Sequence, residues 1–432
     1  MPETGRNSDR SNDQRARPEA GGDSPQQPIR QTGLHGMHLG LVIALFALAY
    51  FFSLFFRTVN AVLSPRLESE LGLGPGNLGL LTAAYFLGTA ASQIPIGICL
   101  DRYGPRRVQT VLLCVAAAGI ATFGLAEAVP LLVFARFVIG IGVAGCLVAC
   151  YQAASLWLRP RNLPLASGLF LAVGGIGALA ATQPVSVIIR LTDWRTMFLA
   201  LAAIVLLNAL AIWRAAPEPR ARPSISWQSW RSGFHTVLRN DRLRRYLPIA
   251  AVCFGTGTSM QGLWAAPWMR DIAGLQASAV TWSLTAMAVA LTVGSAAGGI
   301  VGSALGRFGI TFPQLILGSA CLFICAELGL VLFPGHFDLI SWLLIALTYN
   351  PVTLAYAYVA LSQDRAFIGL SNALMNTGVI LATFLIQYVL GAIFSVTNAG
   401  VTQWPYLLSM AGLIVLQVAA LAWCLGAPNR EE

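Results

Sequence analysis

The sequence carries little charge and no lysine. Only 10% of its 432 residues are charged, whereas soluble globular proteins average about 25%. All 27 basic residues are arginines, and together with 18 acidic residues they give a formal net charge of +9. With 56% hydrophobic residues, the chain has too few polar groups to cover a water-facing surface. These proportions exclude a soluble enzyme, a soluble nucleic-acid-binding module and a wholly disordered chain.

Residues typical of catalytic and metal sites are also scarce. The four histidines lie in predicted tails or loops, and the eight cysteines lie inside or at the ends of apolar runs without a histidine nearby. We find neither a phosphate-binding glycine loop nor a Ser/His/Asp arrangement. We therefore expect no catalytic residue, no resident metal and no cofactor.

Long continuous apolar runs dominate the sequence. A membrane helix needs roughly 20 such residues, and alternating β-barrel segments are not seen. We number the runs as spans 1 to 12; they lie at about 37–64, 77–99, 108–126, 130–157, 165–189, 196–213, 246–268, 279–305, 312–333, 337–361, 367–396 and 403–426. The sequence predicts an all-α membrane protein with twelve transmembrane helices in two six-helix bundles.

Polar segments divide the predicted bundles. Residues 1–36 form a predicted disordered tail, residues 37–213 the N-terminal bundle, residues 214–245 a basic central loop and residues 246–426 the C-terminal bundle, followed by a short tail at 427–432. Placing both termini in the cytoplasm puts about 21 of the 27 arginines on the cytoplasmic side. We therefore expect a multi-pass protein of a bacterial inner membrane with cytoplasmic termini.

The segment between spans 2 and 3 resembles the loop signature G-x-L-x-D-R-x-G-R-R of the major facilitator superfamily. Cys99 replaces the usual leucine and Pro105 the first basic residue, whereas the other signature positions match. In that family the signature implies a cytoplasmic gate, and a basic loop that only sets topology is the alternative. The predicted gating residues are Gly97, Asp101, Arg102, Gly104, Arg106 and Arg107.

Three further segments resemble the same family. Arg136 begins an R-x-x-x-G-x-G pattern in span 4, residues 194–198 resemble its loop between helices 5 and 6, and residues 261–268 resemble helix 7 of some bacterial members. The glycine-proline motif that marks drug/proton antiporters in helix 5 is not found. The resemblance covers residues 37–426 and implies a two-bundle transporter that works by alternating access.

Polar residues follow one face of several spans. A helix turns 100° per residue, so Tyr50, Arg57 and Asn60 of span 1 fall on one stripe, as do polar residues in spans 7, 10 and 11. Lipid offers no partner to these groups, and we expect them to face a shared wet interior. The predicted substrate-binding residues are Arg57, Tyr50, Asn60, Gln261, Trp264, Tyr349, Tyr356, Asn372 and Asn376.

Two arginines lie within predicted spans. Arg57 costs at least ~2.5–3.5 kcal/mol to place at the centre of a span, and its planar fork suits a carboxylate or phosphate. It either contacts the substrate or takes part in coupling, or it extends to the outer membrane surface or forms a structural ion pair. Arg136 is predicted either to act in coupling or gating or to donate to backbone carbonyls. The acid well inside a predicted span is Glu327 of span 9, a usually peripheral position in the family, so no proton carrier is evident; Asp101, Asp364 and the substrate are the alternatives.

The resemblance implies a secondary transporter that is not an enzyme. The first hypothesis is uptake of a small organic anion together with a coupling ion, by a monomer in the lipid bilayer with no nucleic-acid partner. An efflux carrier for drugs or metabolites is the alternative. A membrane sensor or assembly factor without transport is an alternative of another class.

Overall fold

A computed structural model describes residues 36–159, 162–217, 227–306, 309–335, 338–349, 354–363, 367–397 and 403–426. The two predicted tails, except for residue 36, lie outside this range. Every regular element in the described part of the chain is a helix, as the continuous apolar runs predict.

The N-terminal half contains the predicted spans 1 to 6. Span 1 is the helix Gly36–Thr58, continued by Asn60–Leu71, and Pro75–Leu125 contains spans 2 and 3. Span 4 consists of Val129–Val143 and Cys146–Trp157, span 5 of Leu163–Ala180 and Gln183–Leu191, and span 6 of Trp194–Ala215.

The C-terminal half contains spans 7 to 12. Span 7 consists of Asp241–Ser259, a π-helical turn at Met260–Trp264, and Ala265–Asp271. Spans 8 and 9 are Ala277–Gly306 and Phe312–Leu332. Span 10 includes Asp338–Thr348 and Leu354–Ala360, and spans 11 and 12 are Ile368–Val396 and Trp404–Gly426. The predicted central loop contains a further helix, Trp227–Leu238.

The helices fit a membrane protein. Within the described ranges, nine helices are long and apolar enough to cross a membrane, and a pair bent by 41° in span 5 makes a tenth. The helices of spans 7 and 10 fall outside this set, so the predicted count of twelve is consistent with the described helices but stays a prediction. The predicted all-α membrane fold is confirmed.

Three backbone irregularities interrupt these helices. Val59 separates the two helices of span 1. Gly104 has φ 78° between spans 2 and 3, a conformation that glycine adopts at little cost. The π-helical turn in span 7 inserts an extra residue per turn, a feature frequent at functional sites.

Glycines bring spans 2 and 4 into backbone contact. A side chain on Gly88 would collide with the carbonyl group of Phe137, and one on Gly140 would collide with the carbonyl group of Tyr85. Small residues let membrane helices approach this closely. Span 4 is therefore a rigid support for span 2 inside the N-terminal half.

Several contacts join the two halves near loops 72–74 and 272–276, which the predicted orientation places outside. We call this region the outer end. A Cβ atom on Gly79 of span 2 would lie 2.6 Å from Cα of Gly391 of span 11. An ion pair of 3.5 Å joins Glu68 to Arg270. Toward the opposite end of span 2, a Cβ on Gly97 would meet nothing within 4 Å. The two halves thus touch at the outer end.

Candidate functional site

Arg57 lies where the two halves face each other. Residues 54–56 and 58–61 are buried, whereas Arg57 is partly exposed. The backbone carbonyl oxygen of Arg57 faces span 7, because a Cβ atom added to Gly262 would lie 3.4 Å from that oxygen. The partly exposed side chain of Arg57 lies beside this contact between the halves.

Tyrosines from both halves surround the Arg57 guanidinium. It lies within electrostatic range of the phenol groups of Tyr50, Tyr85 and Tyr349. The hydroxyl of Tyr85 donates to the carbonyl of Ser53 at 3.0 Å, which fixes its ring beside span 1. Tyr50 and Tyr349 are predicted from their stripes, and Tyr85 of span 2 is a weaker candidate from the sequence.

Arg57 has no partner of its own in the described part of the chain. Its guanidinium makes neither a hydrogen bond nor an ion pair with the described residues; the ion pairs found there belong to Arg195 and Arg270. An arginine in a span normally pairs with an acid or with backbone carbonyls. The unpaired guanidinium of Arg57 thus suits an anion, which a guanidinium can hold through two parallel hydrogen bonds.

The π-helical turn of span 7 carries the next predicted residue, Gln261. The Tyr349 hydroxyl donates to Oε1 of Gln261 at 3.0 Å, and the Gln261 amide nitrogen is buried without a hydrogen-bond partner among the described residues. Span 11 supports the turn, because Gln387 donates to the Ser259 carbonyl at 3.2 Å. The C-terminal half thus presents a buried amide donor close to Arg57.

A second polar group lies on spans 10 and 11. The Tyr356 hydroxyl donates to Oδ1 of Asn376 at 3.3 Å. Asn376 is partly exposed, and Asn372, one turn away toward the predicted cytoplasmic end, is exposed. These side chains extend the polar surface from the Arg57 region toward that end.

Two predicted binding residues occupy packing positions. The Asn60 amide donates to the Thr82 hydroxyl at 2.8 Å, and Asn60 is buried between spans 1 and 2. Asn60 therefore packs against span 2, although it shares a stripe with Tyr50 and Arg57. Trp264 is buried with its ring 4.7 Å from that of Phe394. Their contact with substrate stays a prediction.

Arg136 is fully buried in the N-terminal half. It donates to the carbonyl of Phe56 at 2.9 Å, and its guanidinium lies over the ring of Phe123 at 4.9 Å. Its Nε and second terminal nitrogen have no partner among the described residues. The side chain therefore holds the end of the first helix of span 1, one residue before Arg57.

The predicted gating loop is partly described. Gly104 forms the turn, Arg102 is exposed, and Arg106 donates to the Trp213 carbonyl of span 6 at 2.9 Å. Arg107 is exposed and takes part in an interaction with another group. The side chain of Asp101 lies outside the described part of the chain. Arg106 thus ties the loop to its own half in this arrangement.

Acidic residues at the outer end were missed by the sequence analysis. Glu68 pairs with Arg270 of the other half, and Glu70 accepts a 2.7 Å hydrogen bond from the Trp194 indole. Burial raises the pKa of Glu68, although Arg270 opposes this change. Glu68 and Glu70 follow directly after the apolar run of span 1. This pair of acids was the sequence signal for a charged contact at the outer end.

A family model described as Major Facilitator Superfamily matches residues 46–378. The chain belongs to the major facilitator superfamily. It is a membrane transporter and not an enzyme, and the predicted family and fold are confirmed.

Two relatives and one structure are similar to this superfamily member. The Probable sulfoacetate transporter SauU of Cupriavidus necator is 25% identical over 404 residues, which cover 88% of this chain and 92% of that protein. The Sialic acid transporter NanX of Escherichia coli is 24% identical over 189 residues, 44% of this chain and 46% of that protein. A bacterial homologue of the lysosomal transporter Spinster, described as inward-facing and unoccupied, has a TM-score of 0.70 with 18% identity over 91% of this chain and 98% of that one.

Proposed function

We propose that this transporter imports small organic anions across a bacterial inner membrane by alternating access, with both termini in the cytoplasm. The observation that carries the proposal is the partly exposed, unpartnered guanidinium of Arg57 between the two halves. Sulfoacetate and sialic acid, named for two relatives, both carry negative charge at neutral pH.

The anionic group of the substrate binds Arg57 in this proposal. The Gln261 amide donates to the same group or to its neighbour from the opposite half. Tyr50 and Tyr349 close the sides, and Tyr356, Asn372 and Asn376 contact polar substituents on the way to the cytoplasm. A substrate held by both halves favours the rocking motion that moves it across the membrane.

The arrangement described here is the inward-facing one. The halves touch at the outer end through Gly79 and Gly391, whereas Gly97 at the opposite end of span 2 has free space around it. In the outward-facing state, the loop signature with Asp101, Arg102, Arg106 and Arg107 closes the cytoplasmic end instead. Arg136 couples this motion to the site through the end of the first helix of span 1.

Transport in proteoliposomes tests the proposal. Proteoliposomes that contain the purified monomeric chain are loaded with unlabelled sulfoacetate, and labelled sulfoacetate is added outside. The same experiment is done with sialic acid. We expect counterflow of at least one of the two, inhibited by anions but not by choline or glucose. Two results would support the efflux alternative and contradict the proposal. One is counterflow that choline inhibits. The other is expression of the protein in a drug-susceptible host that raises resistance to hydrophobic drugs without any anion transport.

Binding without movement would point to a sensor. Empty liposomes provide the baseline, and a melting-temperature increase with sulfoacetate reports binding independently of flux. A melting-temperature increase without counterflow would therefore overturn the transport proposal for that anion.

A further inference from the structure

Glu327 of span 9 is the acidic side chain least exposed to solvent among the described residues. Its exposed fraction is 0%, and its carboxyl oxygens make no close hydrogen bond in the described part of the chain, although the Gln417 amide lies near enough to interact with them. No arginine or histidine there forms an ion pair with it. An ionisable residue at membrane depth is costly, and it normally has a functional reason to be there.

The carboxyl group lies between spans 7, 9 and 12. Span 12 presents the amide of Gln417, which donates to the Thr256 hydroxyl of span 7 at 3.3 Å. Span 7 also presents the thiol of Cys253, which lies within electrostatic range of Glu327, and Cys321 of span 9 acts on that thiol. Among the described residues, Cys253 is the titratable group near the carboxyl group, and no charged side chain acts on it.

Buried polar side chains follow span 7 from the Glu327 pocket toward the proposed anion site. They are Thr256, Thr258, Ser259 and Gln261, all on span 7 and all buried. Thr256 belongs to the Glu327 pocket, and Gln261 belongs to the Tyr349 contact beside Arg57. The π-helical turn contains Gln261, the residue of this series nearest Arg57. Its inserted residue lets the helix change its packing.

We propose that Glu327 is the proton-binding residue that couples anion transport to the proton gradient, and that span 7 connects it to Arg57. This inference rests on the proposed anion transport. The carboxylate binds one proton from water on the outer side, becomes neutral and fits the apolar interior between spans 7, 9 and 12. After the anion leaves, span 7 moves away from this closed packing, cytoplasmic water reaches the carboxyl group, and the proton is released to that water. No other bond is made or broken.

The energetic reason is the cost of the buried charge. A carboxylate without a cation partner is expensive in the interior, whereas a neutral carboxylic acid needs only a hydrogen-bond acceptor. The protonated form therefore favours the closed packing of span 7 that the structure shows. The ionised form requires contact with water, which links proton binding to rearrangement of the span that carries Gln261.

Two transport modes separate this role from substrate binding. Counterflow of sulfoacetate at equal pH on both sides needs no net proton movement, whereas accumulation driven by an acidic outside does. We expect Glu327→Gln to retain counterflow within about twofold and to lose at least tenfold of the pH-driven accumulation. The matched control is Glu127→Gln, which removes an exposed acid of the loop between spans 3 and 4 and is expected to behave as wild type.

The possible outcomes decide the proposal. Wild-type accumulation that ignores the pH gradient, or Glu327→Gln that accumulates like wild type, would overturn it; wild-type counterflow would still support the proposed function. Loss of both modes in a Glu327→Gln protein with a wild-type melting temperature would also overturn it, because Glu327 would then act in binding or packing.

A second variant covers the case in which Glu327→Gln does not fold. Glu327→Asp keeps a titratable carboxyl group but shortens the side chain by one methylene. We expect pH-driven accumulation to persist with a shifted dependence on outside pH. A pH profile that superimposes on that of the wild type would show that this position does not bind the coupling proton.

Discussion

The guanidinium of Arg136 donates a 2.9 Å hydrogen bond to the carbonyl oxygen of Phe56, the residue directly before Arg57. The first helix of span 1 ends two residues later, at Thr58, and Val59 joins it to Asn60–Leu71 with helical φ and ψ. A carbonyl oxygen has two lone pairs, so the Phe56 carbonyl can accept the Arg136 guanidinium in addition to a bond along the helix. Arg136 therefore supports the backbone that directs Arg57.

Substitution of Arg136 tests this support. Arg136→Met leaves the Phe56 carbonyl without its charged donor, and hydrogen bonds to charged groups contribute about 1.5–3 kcal/mol. We expect sulfoacetate binding about tenfold weaker than in wild type, measured by tryptophan fluorescence titration, and partial recovery in Arg136→Lys. The exposed Arg190→Met serves as a control for loss of charge. Unchanged affinity in Arg136→Met would show that Arg57 is directed by other contacts.

The Gly79–Gly391 approach at the outer end predicts a shift of conformation. Gly79→Ala places a methyl group 2.6 Å from the Cα atom of Gly391, so the outer ends of spans 2 and 11 must separate. We expect a smaller population with a closed outer end, seen as longer spin-label distances across it, and slower counterflow.

The matched control for this change is Gly412→Ala in span 12, where an added Cβ meets nothing within 4 Å. Because both variants make the same substitution within a membrane helix, general effects of alanine cancel. Equal counterflow and equal distances in the two variants would mean that the glycine contact does not close the outer end.

Glu68 predicts a response of the outer end to pH. Burial raises the pKa of Glu68 in the arrangement described here, despite the opposing charge of Arg270. A glutamate with a raised pKa binds a proton more tightly than one in water, so acidification favours this closed arrangement. We expect the distance between labels at Ser69 and Ala277, on a background without native cysteines, to shorten as pH falls toward 4.5, the ordinary glutamate value.

The variant Glu68→Gln isolates the contribution of this carboxyl group. It cannot ionise, and we expect the pH dependence of the distance to disappear in it. Opening of the outer end on acidification of the wild type would have the opposite sign and would show that the Glu68–Arg270 attraction outweighs the effect of burial.

The Tyr349–Gln261 contact predicts a smaller effect on binding. Tyr349→Phe keeps the ring but removes the hydroxyl that donates to Gln261 at 3.0 Å. A neutral hydrogen bond contributes about 0.5–1.5 kcal/mol, so we expect sulfoacetate affinity to fall by a factor of about two to ten. Tyr103→Phe, at an exposed tyrosine in the loop between spans 2 and 3, is the control. Unchanged titration curves for Tyr349→Phe would remove Gln261 from the proposed site.

Much of the fold was predictable from the sequence because lipid imposes a simple rule on length and polarity. Apolar runs located the spans, and the glycine of the loop signature marked the turn that Gly104 makes with positive φ. Stripe arithmetic on spans 1, 7 and 10 selected Arg57, Gln261 and Tyr349, which the structure brings close together.

Helical arithmetic gives the face of a side chain but not the element that packs against it. The stripe on span 1 groups Asn60 with Arg57, yet Asn60 is buried and donates to Thr82 of span 2. The π-helical turn in span 7 is likewise absent from any ideal pattern. Contacts between the halves, such as Glu68 with Arg270, depend on which conformation the transporter adopts and have no periodic signal.

Binding of sulfoacetate to Arg57→Gln tests the central claim most directly. Isothermal titration of wild type, Arg57→Gln and the exposed-site control Arg190→Gln would give three dissociation constants under identical conditions. We predict that Arg57→Gln weakens binding by tenfold or more with an unchanged melting temperature, while Arg190→Gln matches wild type. Wild-type affinity in Arg57→Gln would contradict the account, because the anion would then be held elsewhere.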